Sequence, residues 1–230
     1  GMPIDSISKV QAQEAKESVL SESTRTRAQK LSDPKQDDAS KKSQYVIVLD
    51  AGHGGKDEGA VSDDGKLEEK EYNLAVVKEI ARLLEQSGVK VYCTRTTDRT
   101  VSKKARVRLA NKRQADMLVS VHCNASDARK HSVRGIEVLY SKRDNGAGYT
   151  NKQLAAKLLK KTVAATGLPA RGVIRREDLY LMHHAKVPAV IVETGYLTNP
   201  SDCLYMRQEK GIRQTAWGIY QAVMETLEKY

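Results

Sequence analysis

The stretch Tyr45–Ala60, YVIVLDAGHGGKDEGA, constrains the fold of this chain more than any other. A β-branched apolar run stops at Asp50 and gives way to glycines around His53, the pattern of a buried strand that ends in a functional loop. Gly52, Gly54 and Gly55 open backbone conformations closed to other residues, so the loop can hold His53 close to a ligand. Two departures argue against phosphate cradling. A Walker loop needs Ser or Thr after Gly55-Lys56, where Asp57 stands, and a dinucleotide pattern started at Gly52 needs glycine at that same position. A histidine at the carboxyl end of a strand is a metal-ligand candidate, and alone it is weak evidence.

Downstream, strand and helix patterns alternate. Leu74, Val77, Ile80, Ala81 and Leu84 recur at helical spacing and Ser87-Gly88 closes the run, which predicts a helix over about 70–86. The following segments read as a strand at 89–94, a basic helix at 102–114, strands at 116–122 and 135–140, and a helix at 150–166. A short helical piece at 177–184, a buried strand at 188–193 and a closing helical region at 201–228 complete the chain. This order predicts an α/β fold, a single domain with a mainly parallel central sheet covered by helices on both faces. Residues 1–43 contain no aromatic residue and few apolar ones, and read as a polar tail or linker ahead of a domain over 44–230.

In open α/β sheets, sites form beyond the carboxyl ends of the strands. His53 follows the first strand, His122 ends the run DMLVSVH, and Glu193 ends PAVIVE, so three separate segments can converge there. The acidic cluster Glu68, Glu69 and Glu71 at the first helix start is a fourth candidate, although helix-start glutamates are favoured by the dipole alone. Two histidines and a carboxylate leave zinc's fourth position open, the usual makeup of a hydrolytic site. Taken alone, a histidine such as His122 at a strand end is more often a structural, hydrogen-bonded residue than a ligand. Glu193 differs, because a carboxylate ending a run of Ala, Val, Ile and Val needs a partner. Neighbouring His183 and His184 diverge and read as surface or helix-end residues, and His131 reads as loop.

At this point the sequence resembles the zinc-dependent N-acetylmuramoyl-L-alanine amidases of type 3, which hydrolyse peptidoglycan. The matching blocks are LDAGHGGKDEGA, LEEKEYNL, TRTTD, RVRLAN, ADMLVSVHCNAS, RGVIRREDLYLM and PAVIVETGYLTNPSD, in order over about 44–230. The resemblance implies one zinc held by His53, Glu69 and His122, with Glu193 as catalytic acid/base. Glu69 is singled out because the family's L-x-E-K-x-x-N-L pattern falls on Leu67, Glu69, Lys70, Asn73 and Leu74. It further implies hydrolysis of the amide between N-acetylmuramic acid and the L-alanine of the stem peptide, outside the cytoplasmic membrane. Asn124 either contacts substrate or holds the strand-end turn. Two positions depart from the family: Ala51, where proline is common, and Cys123, where a small residue such as alanine is common.

Charge and cysteines bound the alternatives. Lys+Arg 39 against Asp+Glu 29 gives net +10, which predicts attraction to a polyanion such as an anionic wall polymer. A binding protein without activity would explain that charge and leave the ligand set unexplained. A nucleic-acid partner is not expected, since aromatic content is 5% and Phe is absent, leaving few stacking platforms. Cys93, Cys123 and Cys203 lack zinc-site spacing and read as reduced. No apolar run approaches the roughly 20 residues that span a bilayer and no signal-type segment opens the chain. An extracytoplasmic enzyme would then have had its export signal removed, with which Gly1 ahead of Met2 is consistent. Some type 3 amidases carry a plug helix over the site, for which the interval 141–187 leaves little room.

Overall fold

Val46, Ile47, Val48 and Leu49 build the strand β1 (Val46–Ala51), buried along almost its whole length because both faces of the sheet are covered. The computed structural model describes residues 45–127, 131–143 and 145–230, within a unit that runs from Lys42 to Tyr230. The tail assigned to 1–43 lies outside the described residues. After β1 come α1 (Glu69–Gln86), β2 (Lys90–Cys93), α2 (Lys103–Arg113), β3 (Met117–Asn124) and β4 (Ile136–Tyr140). Then follow α3 (Asn151–Thr166), β5 (Ala170–Arg175), α4 (Tyr180–His184), β6 (Ala189–Tyr196), α5 (Pro200–Met206) and α6 (Glu209–Lys229).

The strands form one six-stranded sheet in the order β2-β1-β3-β6-β4-β5. All neighbours are parallel except β4 and β6, which run antiparallel. The α/β expectation therefore holds. Helices α1, α3 and α6 bury Val76, Ile80, Leu84, Leu154, Leu158, Ile219 and Val223 against one face, where Ile47, Leu49, Val119, Val121 and Val192 point. The alternate residues Val48, Leu118 and Ala189 meet Val107 and Ala110 of α2 and Ala185 beyond α4 on the other face. Among the described residues no helix is long and apolar enough to cross a membrane.

Three details differ from the sequence expectations. β5 was not anticipated, because ARGVIR is an edge strand with only Val173 and Ile174 apolar in its centre and no buried run to betray it. β3 and β6 continue past His122 and Glu193 as far as Asn124 and Tyr196, which pair with each other beyond a register shift, so both candidates lie inside strands rather than at their ends. The closing helical region is broken at Arg207–Gln208 into α5 and α6. Gly211 permits that corner, since a Cβ there would fall 2.0 Å from the Tyr205 carbonyl oxygen.

Candidate metal centre

The loop after β1 is held by its carbonyl oxygens. Arg95, almost wholly buried, donates through Nε to the Ala51 carbonyl at 3.0 Å and through Nη2 to those of Gly52 at 2.9 Å and Lys70 at 2.7 Å. Arg106 of α2 donates through Nη1 to Asp50 Oδ1 at 2.7 Å and the Ala51 carbonyl at 2.6 Å, and through Nη2 to the His53 carbonyl at 2.7 Å. Asp50 is buried with Ser120 and Thr94 as further donors, and these partners hold its carboxyl below the usual range despite burial. Two guanidinium forks therefore fix four successive residues, 50–53, and the loop beyond turns through Gly54 and Gly55 at φ 127° and 62°. No side chain fits there, since a Cβ on Gly54 would fall 2.4 Å from the Arg99 carbonyl oxygen.

His53 itself takes φ 60°, the left-handed region that a non-glycine residue enters only when its surroundings enforce it. Its Nδ1 meets Asp57 Oδ1 at 2.9 Å and its Nε2 meets Glu69 Oε1 at 3.2 Å. Glu69, the first residue of α1, is 3% exposed and reaches His122 Nδ1 at 3.0 Å with the same oxygen. Its other oxygen accepts from the Ala60 backbone at 2.8 Å. One ligand atom from each of His53, Glu69 and His122 lies within 4.8 Å of the others. Glycines make room for this cluster: a Cβ on Gly52 would stand 2.4 Å from the His122 ring, and one on Gly59 would stand 2.6 Å from Glu69 Oε2.

Glu68 and Glu71 are not part of it. Glu68 pairs with Lys70 at 3.2 Å and Glu71 is exposed. His183 and His184 are exposed at the end of α4, and His131 sits in a loop against Asp63 and the Thr198 carbonyl. The cysteines are free, with Cys123 buried and its thiol directed to Asn73 Oδ1 at 3.4 Å.

Glu193 lies beside His122 in the parallel register of β3 and β6. Its Oε2 is buried without a hydrogen-bond partner among the described residues. Burial pushes its carboxyl up to about 7, His122 and His53 oppose the shift, and Glu69 and Glu137 add to it. In the protein without metal, burial works against the charge on His53, but Glu69 and Asp57 outweigh it and raise the imidazole to about 9. Glu69 responds in the opposite sense: burial raises its carboxyl, and the two histidines hold it far below its ordinary value.

Asn124 donates to Tyr196 Oη at 3.1 Å and, at 3.4 Å, to Glu137, whose other oxygen accepts from Tyr196 and Arg171. It thus braces the strand ends beside Glu193. Glu137, which pairs directly with Glu193 across β4 and β6, was missed in the sequence, and Arg95, Arg106 and Asn73, whose amide donates to Glu69 Oε1 at 3.3 Å, stood there only within matching blocks and without a role. The one signal for Glu137 is a lone acid inside the apolar run GIEVLY; for the arginines it is their place in the matching blocks TRTTD and RVRLAN, because a buried arginine otherwise looks like any surface cation until its acceptors are known.

The sequence pattern of the N-acetylmuramoyl-L-alanine amidase family Amidase_3 matches residues 47–225. The chain belongs to this family. Among curated members, it is 36% identical over 163 residues to the N-acetylmuramoyl-L-alanine amidase LytC of Bacillus subtilis, a match covering 71% of this chain and 32% of LytC. It is also 36% identical over 187 residues to the probable cell wall amidase LytH of Staphylococcus aureus, covering 80% of this chain and 58% of LytH. The chain thus spans about a third of the first relative and under two thirds of the second. The catalytic domain of the amidase CwlV from Bacillus (Paenibacillus) polymyxa var. colistinus superposes with TM-score 0.74 at 33% identity, covering 81% of this chain and 99% of CwlV. The described α/β unit is therefore an amidase catalytic fold of the Amidase_3 family.

Proposed function

We propose that this chain is a zinc-dependent peptidoglycan amidase that hydrolyses the amide between the lactyl group of N-acetylmuramic acid and the L-alanine of the stem peptide. The observation that carries this reading is the convergence of His53, Glu69 and His122 within 4.8 Å, next to a carboxylate oxygen of Glu193 that has no partner among the described residues. The donor set fits a metal ion, since two imidazoles and one carboxylate are the ligands of an open hydrolytic zinc site. Asp57 on His53 Nδ1 leaves Nε2 for the ion and fixes the ring, the usual outer support of a ligating histidine. When bound, zinc supplies Lewis acidity that activates water near neutral pH and polarises the scissile carbonyl.

The chain's own residues do the rest. Glu193, whose buried carboxylate oxygen has no partner among the described residues, accepts a proton from the attacking water and returns it to the departing alanine nitrogen as general base and then acid. Glu137, held by Arg171, Tyr196 and Asn124, keeps a like charge beside Glu193 and so helps hold its carboxyl up. The side chains of His53 and His122 are 25% and 23% exposed, and the interval between β4 and β6 is taken up by α3, β5 and α4. Both facts support a site that works without an activator to remove a plug. The cell-wall naming of LytH supports an extracytoplasmic place of action and peptidoglycan as the partner. Residues 1–43 serve as a tether, and deleting them leaves hydrolysis of a soluble muropeptide unchanged.

Mass spectrometry of the fragments released from purified sacculi tests the reaction. Free stem peptides beginning with L-alanine, lost on chelation and restored by zinc, are expected. Fragments cut within the glycan or between stem-peptide residues would overturn it.

A further inference from the structure

The cations of this chain are not distributed evenly between paired and unpaired positions. On the face formed by α1, α3 and α6, acidic residues lie among the cations: Lys157 and Lys161 meet Glu225, Arg82 meets Glu79 and Arg213 meets Glu209, while Lys78, Lys152 and Lys160 make no ion pair among the described residues. On the opposite face α2, KKARVRLANKR, contains no acidic residue. Arg106 is buried in the clamp of the metal-centre loop, whereas Lys103, Lys104, Arg108, Lys112 and Arg113 are exposed. None of these five makes an ion pair among the described residues; Arg113 lies over the Tyr92 ring at 3.9 Å, which orients it and leaves its charge uncompensated. Asn111 ties the helix to the link between α4 and β6, accepting from the Lys186 backbone at 2.8 Å, and so brings exposed Lys186 onto the same face.

Only part of this arrangement helps the helix that carries it, since Lys112 and Arg113 lie in the last turn, where the dipole favours cations. Lys103 and Lys104 occupy the first turn, where the helix dipole disfavours cations. Lys104, Arg108 and Lys112 follow at four-residue spacing, about 6 Å apart along the axis, and like charges so placed repel. The helix is kept instead by its Ser102 cap, which accepts from the Ala105 backbone, and by burial of Val107 and Ala110. A merely solvated face would be served by mixed signs. A row of cations that repel one another is stabilised once a partner supplies anions at a regular interval.

We propose that the outward face of α2, extended by Lys186, is a docking surface for a polyphosphodiester of the cell wall. The choice of the wall as the polymer's source rests on the amidase reading. The chemistry rests on the face itself: point-charge lysines in a row suit successive phosphates, and α2 has no aromatic residue on which a nucleic-acid base could stack. The row starts just beyond Asp98 and Thr100, which receive the backbone N–H groups of Gly55 and Lys56 in the metal-centre loop, so polymer on α2 lies alongside the catalytic rim.

The test compares Lys104→Gln/Arg108→Gln/Lys112→Gln with Lys78→Gln/Lys152→Gln/Lys160→Gln, a variant of equal net charge altered on α1 and α3. Glutamine matches lysine and arginine closely in helix propensity, so both fold. Binding to purified poly(glycerol phosphate) at low salt, sedimentation with walls before and after removal of the polymer, and hydrolysis of a soluble muropeptide are measured. A cation near an anionic surface contributes about fivefold, so the α2 variant is expected to lose on the order of 100-fold in polymer affinity. It should sediment like wild type only with stripped walls, while the control variant keeps its affinity and both keep muropeptide hydrolysis. Equal loss in both variants, or none in the α2 variant, would overturn the surface. Binding to duplex DNA through α2 without binding to the polymer would overturn it in favour of a nucleic acid. A wild type that binds polymer through α2 and cleaves no muropeptide would instead remove the amidase reading and leave the surface standing.

Discussion

His53 shows how much of the site is written in single residues. Its glycine-flanked place after an apolar run marks it in the sequence, and the structure adds φ 60° and contacts to Asp57 and Glu69 that hold both ring nitrogens. His122 and Glu193 were legible for the same reason, as polar residues on otherwise apolar strands. Glu69 was not separable from Glu68 and Glu71 by residue chemistry, because the helix dipole favours all three and only the rotation of α1 decides which one turns inward. Glu69→Ala is therefore expected to lose zinc and activity together, as are His53→Ala and His122→Ala, while Glu68→Ala and Glu71→Ala retain both; elemental analysis on the same preparations checks this. The raised His53 imidazole also has a stability consequence in the metal-free protein. Its folded-state value near 9 lies above the ordinary 6.5, so its contribution is complete below pH 6.5 and lost as pH rises from there through about 9. In the presence of chelator, the wild type should lose more thermal stability between pH 6.5 and 9 than His53→Asn does. Zinc uptake should release protons and strengthen over the same window.

Among the elements, β1 and its loop depend on side chains from two others. Arg95 follows β2 and Arg106 belongs to α2, and together they hold the carbonyls of Ala51, Gly52 and His53. Periodicity showed these elements and was silent on the clamp, since a helix with charged residues around most of its circumference looks solvated. Arg106→Met leaves Asp50, 1% exposed, as a buried charge with only hydroxyl side-chain partners. We expect a loss of about 3–5 kcal/mol in urea melts and a fall of about 10–100-fold in zinc affinity as His53 loosens. Arg106→Lys should restore little, because one ammonium cannot reach a carboxylate and two carbonyls held by a planar fork. Unchanged zinc affinity in Arg106→Met would show that the loop holds His53 without the clamp. β5 stayed hidden for a different reason: an exposed edge strand buries too little to carry a pattern.

For the whole molecule, the alternation of strands and helices was sufficient to anticipate a mainly parallel sheet covered on both faces. It could not show that β4 returns antiparallel against β6, which sets Glu137 opposite Glu193. The neighbouring order β1, β3, β6 then brings His53, His122 and Glu193 to one edge, where α1 adds Glu69. The account's central claim is a division of labour at that edge, three side chains for the ion and Glu193 for the proton. The most direct test is Glu193→Gln, with zinc content and muropeptide turnover measured on one preparation. Full zinc with turnover reduced on the order of 100-fold or more is predicted, the range for loss of a general acid/base. Near-normal turnover, or loss of zinc along with activity, would contradict it.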